Sequence, residues 1–356
     1  MRESTSLKRI APVLLLLSMS FVSSCSTIGY YYQSVNGHLS LMGSSRSIDD
    51  ILQDKSVDPE IKNRLELVRD ARRFASVELG LPENDSYLSY AKLDRDAVVW
   101  SVVATLEFSV QPKQWCYPVV GCASYRGYFD KQQAQQYKND LREHGMDVTV
   151  MPVPAYSTLG WFDDPLPSTV IQWPEPYLVG LVFHELAHQQ LYVPGDSAFN
   201  EAFAMTVEQI GVERWFKARN DKNGLKLWSE RKKKSAEFTT MLLDARERLQ
   251  RLYATSIPES EKRIRKSAEF ARLRTQYDQL KQSWGGYNGF DRWFEGDLNN
   301  ARLASVATYD RFVPAFLKLL HEAKGDLNSF YQASKSMGAL SQDKRTAKME
   351  SLLERN

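Results

Sequence analysis

The chain has 356 residues, is 43% hydrophobic and 25% charged, and carries a formal net charge of +2. Those proportions belong to a globular protein with a sizeable core and exclude a disordered or fibrous chain. With 46 basic residues against 44 acidic ones, there is no electrostatic ground for nucleic-acid binding, and no nucleic-acid partner is expected.

The N-terminus reads as an export signal over residues 1–24. Lys8 and Arg9 precede an apolar run from Ile10 to Val22, which is too short to cross a hydrocarbon core of ~30 Å as a helix. Removing that segment takes out Arg2, Lys8 and Arg9 against Glu3 and leaves the charge near zero. It ends in Val22-Ser23-Ser24-Cys25, which resembles the bacterial lipobox. That resemblance implies a lipidated Cys25 as the first mature residue. Ser26 in place of an aspartate implies sorting to the outer membrane of a Gram-negative cell, facing the periplasm. A plain signal peptide with an incidental cysteine is the alternative.

Further along, residues 26–45 read as a tether and a first docking segment. Residues 59–80 read as a helix, with Pro59 near its start, Leu65, Val68, Phe74 and Leu79 on one face, and Gly80 at its end. The β-branched run 97–105 predicts a buried strand. Cys116 and Cys122 flank Pro118 and Gly121, and in an exported chain they are expected to form a short disulfide. A polar helix over 130–144 and an alternating strand over 147–153 complete an α+β unit spanning 90–173. Residues 155–162 (AYSTLGWF) read as a strand or a loop lining a cleft, and equally as an ordinary apolar loop.

From residue 174 the chain turns helical. Helices are expected over 176–193 and 198–217, joined by Pro194-Gly195-Asp196. A charged helical hairpin is expected within 225–285, with one buried stripe from Phe238 to Leu252 and another from Ile264 to Leu280. Residues 297–353 are again helical. The expected class is α+β, mostly helical, with a single catalytic domain over 25–353.

The stretch that carries chemistry is LVFHELAHQQLYVPGDSAFNEAFAMTVEQIG. On a helix His184 and His188 share one face, so both imidazoles can hold a single Zn²⁺ at ~2.0–2.1 Å. Glu185, beside the first ligand, is placed to take a proton from water. A catalytic zinc needs a third protein ligand, and three acids follow: Asp196 in the turn, then Glu201 and Glu208. Glu201 is preferred because it starts a second helix able to pack on the first. Glu208, two turns on, is expected to orient a ligand histidine.

HELAH followed by NEAFA resembles the gluzincin metallopeptidases, whose third ligand is a glutamate on a second helix. With the lipobox, GYYYQ, FASVELGLPENDSY, WCYPVVGCASYRGYF and AYSTLGWFDDPL, the chain resembles a family of bacterial lipoproteins described as predicted zinc aminopeptidases. The resemblance covers most of residues 25–320. It implies a zincin-like domain, one zinc held by His184, His188 and Glu201, Glu185 as base, and a peptide substrate. Compared with the large zinc aminopeptidases, the spacer is shorter, with 12 residues between His188 and Glu201. Their GxMEN motif, which holds the substrate amine, is absent.

Tyr125 and Arg126 are candidates to bind a substrate carboxylate or support the cleft, with Arg126 read as structural. Tyr309 is the candidate oxyanion donor and His321 the weaker one. Trp161 and Trp293 read as core. The alternative to a peptidase is a non-catalytic envelope lipoprotein that uses its zinc-bound fold as a scaffold.

Overall fold

A computed structural model describes residues 29–354 apart from 118–120 and 156. The export signal and Cys25 lie outside the described residues. The first described segment is not a bare tether: α1 (29–43) is a helix, and the Tyr30 ring stacks on Tyr117 and meets Tyr128 edge-on. It runs into β1 (Ser45–Ser47) and α2 (Ile48–Gln53).

Next comes α3 (Pro59–Val77), which starts where its sequence says it should. Asp58 accepts a hydrogen bond from the Glu60 amide, and Pro59 occupies the first turn, where a missing N–H costs nothing. Its Leu65, Val68, Ala71 and Ala75 are fully buried.

A three-stranded antiparallel sheet carries the α+β part, in the order β6 (Arg126–Tyr128), β3 (Val99–Leu106), β7 (Met146–Val153). The central strand β3 is mostly apolar, with Ser101 and Thr105 buried among its Val, Ala and Trp residues, because it is covered on both faces. Helix α4 (Lys131–Glu143) packs on one face, capped by Asp130 through the Gln133 amide. A hairpin of β4 (Trp115–Tyr117) and β5 (Gly121–Ala123) places Cys116 opposite Cys122, and their sulfurs are bonded. A second small sheet joins β1, β2 (Ser89–Ala91) and β8 (Leu166–Pro167). Residues 157–162 form no strand: the chain turns there, with Leu159 and Gly160 at positive φ. Trp161 is not core either, being 74% exposed.

The helical part opens with α5 (Glu175–Gln190) and α6 (Ser197–Ala218), followed by the hairpin α7 (Lys222–Tyr253) and α8 (Glu259–Ser283). A short 3₁₀ turn (Asp291–Phe294) leads to α9 (Asn300–Asp310), α10 (Val313–Glu322), α11 (Leu327–Gly338) and α12 (Gln342–Glu354). The class is α+β and mostly helical. The largest core joins α3, α5 and α6 to the C-terminal helices, with Phe183, Phe199, Phe203, Phe316 and Phe330 fully buried. A second core fills the α7–α8 hairpin, where Phe238, Leu242, Leu273 and Tyr277 form the expected stripes and Trp293 packs against them; Ile264, expected to begin the second stripe, is exposed instead. A third lies between α4 and the sheet. Helix α9 contacts α6, α7 and strands β3 and β7, tying the three together. No described helix is long and apolar enough to cross a membrane.

Candidate metal centre

Helix α5 is apolar on nearly every side because it is buried, and two chemical residues stand out against that background: Glu185 and His188, each 8% exposed. The helix stops at Gln190, and the chain turns through Gly195 at φ +81°. Two contacts fix that turn. Asn200 donates to the Val193 carbonyl and accepts from the Val193 amide, both at 2.8 Å. Asp196 caps α6 by accepting from the Phe199 amide and is held by Arg345 Nε at 2.7 Å. Glu201, one turn into α6, is thereby aimed at α5.

Glycines let the two helices approach. A Cβ on Gly211 would meet Phe183 Cδ2 at 2.6 Å, and one on Gly180 would stand 3.2 Å from Glu208 Cγ and Oε1. A glycine inside a helix costs about 0.5–1 kcal/mol relative to alanine, so these positions exchange local stability for close packing.

The result is a three-residue donor set. Glu201 Oε2 lies 3.5 Å from His184 Nε2 and 3.8 Å from His188 Nε2, and donor atoms of the three side chains lie within 4.8 Å of one another. A tetrahedral ion with ligand bonds near 2.0–2.1 Å separates its donors by about 3.4 Å, so the group can hold one metal ion and is compatible with zinc. Glu208 Oε2 sits 3.1 Å from His184 Nδ1, fixing the ring so that Nε2 faces the cluster. Nδ1 of His188 is buried with no hydrogen-bond partner among the described residues.

The electrostatics suit a cation. Burial drives the His188 pKa down to about 4, so this imidazole is neutral and ready to ligate. For His184, burial acts in the same direction but is outweighed by Glu201 and Glu208, and the pKa is raised well above the usual value. Burial works to raise the Glu201 pKa, yet the His184 hydrogen bond and the two imidazoles hold it below the ordinary carboxylate value. Burial lifts Glu185 to about 7, opposed by His184 and reinforced by Glu201 and Asp164. A carboxyl poised there can both accept and return a proton near neutral pH.

These groups open on a cavity of about 450 Å³ between the helix pair and the β6–β3–β7 sheet. The disulfide-bonded hairpin closes one side. Gly121, at φ +78°, lies so near the α5–α6 turn that a Cβ there would stand 2.8 Å from Gly195 N.

Tyr125 lines this cavity, and so do Tyr30, Tyr192 and Ser157. Arg126 does not; its guanidinium stacks 3.9 Å from the Tyr30 ring centroid and 4.8 Å from that of Tyr137, a structural role. His321 is exposed on α10. Tyr309 falls within α9, but its side chain lies outside those described. Of the two forms expected for a cleft segment at 155–162, the loop is the one found over 157–162, and Ala155, Ser157 and Leu159 contribute to the wall.

Sequence reasoning missed Tyr192, Tyr30, Asn200 and Asp164. Tyr192 stands one turn beyond His188, a spacing that could have drawn attention to it. Tyr30 and Asp164 carry no local signal, because only the fold brings them near.

A family model described as "Putative aminopeptidase" matches residues 29–349. No curated protein and no solved structure matches the chain.

Proposed function

We propose, from the premise that the chain belongs to the family described as "Putative aminopeptidase", that it is a zinc metallopeptidase tethered through a lipidated Cys25 to the periplasmic face of the outer membrane. The observation that carries the reading is the donor set of His184, His188 and Glu201 sharing one cavity with the buried Glu185. The N-terminal sequence motif supports the anchor. Cleavage from the amino end is supported by the family description.

His184, His188 and Glu201 would hold the ion. Zinc, when bound, supplies a Lewis acid that polarises the peptide carbonyl and acidifies water. Glu185 takes the proton of the attacking water, its carboxyl tuned towards neutrality by burial and by Glu201 and Asp164, and returns it to the leaving amine. Glu208 keeps His184 in the ligating tautomer. The side chains of Tyr125 and Tyr192 border the same cavity, and burial, with Glu201 adding to the effect, holds Tyr192 protonated. They are the described side chains fitted to donate to the developing oxyanion.

Glu185→Gln tests this reading. The variant should bind about one zinc per chain, like wild type, and lose at least ~100-fold in peptide hydrolysis. Mixed peptides incubated with wild type should show new N-termini by mass spectrometry. Zinc binding without turnover of any peptide by wild type would leave the scaffold alternative standing.

A further inference from the structure

Beside the metal cavity lies a second one, of about 1150 Å³, lined by residues of the hairpin, the α6 start, α7 and the chain following α9. The two adjoin along a shared wall. Ser197 borders both, and successive residues of the hairpin strand alternate between them: Cys122 and Ser124 face the second cavity, Ala123 and Tyr125 the first.

Among the described residues, the charges of the second cavity are unbalanced. Asp196 is neutralised by Arg345 at 2.7 Å, and Glu247 is paired with Arg251 at 3.3 Å. Arg311 pairs with Glu350. Arg246 is left over: its Nε is buried with no hydrogen-bond partner among the described residues. Burial, and then the Arg311 guanidinium nearby, depress its pKa. Arg246 is half-buried and faces the cavity with no acidic partner among the described residues, and a guanidinium so placed beside a second one favours an anion that completes the site. The guanidinium fork of Arg246 matches the geometry of a carboxylate.

Ser197 gives the scale. It precedes the ligand Glu201 by one helical turn, about 6 Å along α6, which an extended peptide covers in about two residues. The second cavity thus begins one helical turn from the ligand Glu201. We infer that Arg246, with Arg311 beside it, forms a subsite that binds a carboxylate of the peptide substrate, a few residues from the bond that is cut. The inference rests on the peptidase reading for the word substrate, but carboxylate recognition is testable apart from catalysis.

Binding and turnover are measured with the same fluorescent peptides of four to six residues: free acid against C-terminal amide, and, within the amides, aspartate against asparagine at each position. Binding is read by anisotropy on Glu185→Gln, hydrolysis on wild type. The expected result is at least about tenfold tighter binding of one carboxylate-bearing series over its neutral match. Arg246→Gln, introduced alongside Glu185→Gln, should bring that ratio close to one. The acid/amide pair identifies an α-carboxylate, the aspartate/asparagine pairs a side chain. Equal binding of charged and neutral peptides overturns the subsite whether or not the enzyme cleaves them. A tenfold preference without any cleavage overturns the peptidase reading and keeps the subsite.

Discussion

Glu208 makes no contact with the proposed ion position, yet its removal should be felt there. Its Oε2 lies 3.1 Å from His184 Nδ1, and both side chains are largely sheltered, at 24% and 16% exposure. The substitution Glu208→Gln keeps the shape and removes the charge. Carboxylate partners of ligand histidines are worth roughly 10–100-fold in metal affinity, or about 1.4–2.7 kcal/mol. That range agrees with the ~1.5–3 kcal/mol of a hydrogen bond to a charged group. The sign of the pH dependence follows from His184. Burial lowers its pKa, but Glu201 and Glu208 together lift it well above the usual value, so in the metal-free protein a proton competes with zinc. Losing Glu208 weakens that competition, so the fold-loss in affinity should be larger at pH 8 than at pH 6. A second perturbation reaches the same contact from the other side. Gly180→Ala places a Cβ 3.2 Å from Glu208 Cγ and Oε1 while adding up to about 1 kcal/mol of helix propensity. It should weaken zinc binding without lowering the unfolding midpoint of the metal-free protein. Competition titration against a chromophoric chelator reads both effects. Zinc affinities equal to wild type in both variants, under conditions where Glu201→Gln loses its metal, would refute the orienting role.

Two further outcomes concern stability. Asp164 is 2% exposed, and burial, resisted by hydrogen bonds from Thr158, raises its pKa to about 6. The folded state then binds more protons than the unfolded state between about pH 4 and pH 6, so this group makes stability fall as pH rises through that window. Asp164→Asn should gain on wild type by about 2 kcal/mol between pH 4 and pH 7, measured as the difference of urea unfolding free energies, and a constant difference would show that Asp164 is not held this way. Phe203 is fully buried, with its ring 5.7 Å from those of Phe316 and Phe330. Phe203→Ala should cost about 3–5 kcal/mol by the same measurement, and a loss under 1 kcal/mol would mean that the α6–α10–α11 packing is not as described.

Local periodicity made the helices readable: α3, α4, α5 and α6 lie within a few residues of their expected bounds, and the α7–α8 stripes fall where Phe238 and Leu273 placed them. Strand β3 was readable for a different reason, since six successive residues from Trp100 to Thr105 are buried, and burial on both faces favours the Val and Ala that dominate the run. What failed was whatever depends on distant partners. GYYYQ gave no hint that Tyr30 stacks on Tyr117 and wedges against Arg126. Trp161 looks like core by composition, but it sits on a turn fixed by Thr158 and Asp164 and points to solvent. The glycines of α5 and α6 looked like weak points in good helices. Their meaning appears only when Phe183 and Glu208 arrive against them from the partner helix.

The short spacer is the clearest case of a departure that the fold resolves. Twelve residues between His188 and Glu201 seem few for reversing direction and returning a carboxylate to the same ion. They suffice because α5 ends two residues after His188, and the connector is a tight turn rather than a loop. Glu201 then stands on the fifth residue of α6. Rigidity compensates for the lack of length: Asn200 holds the Val193 backbone at both N–H and C=O, and the buried Asp196–Arg345 pair pins the turn to the C-terminal α12. A donor set that a longer connector would leave to side-chain rotamers is here set by backbone hydrogen bonds, the kind of support that keeps a ligand geometry within tolerance. The same turn carries Ser197, which separates the metal cavity from the one holding Arg246. The element that shortens the path between the metal-site residues therefore also sets how close the two cavities lie.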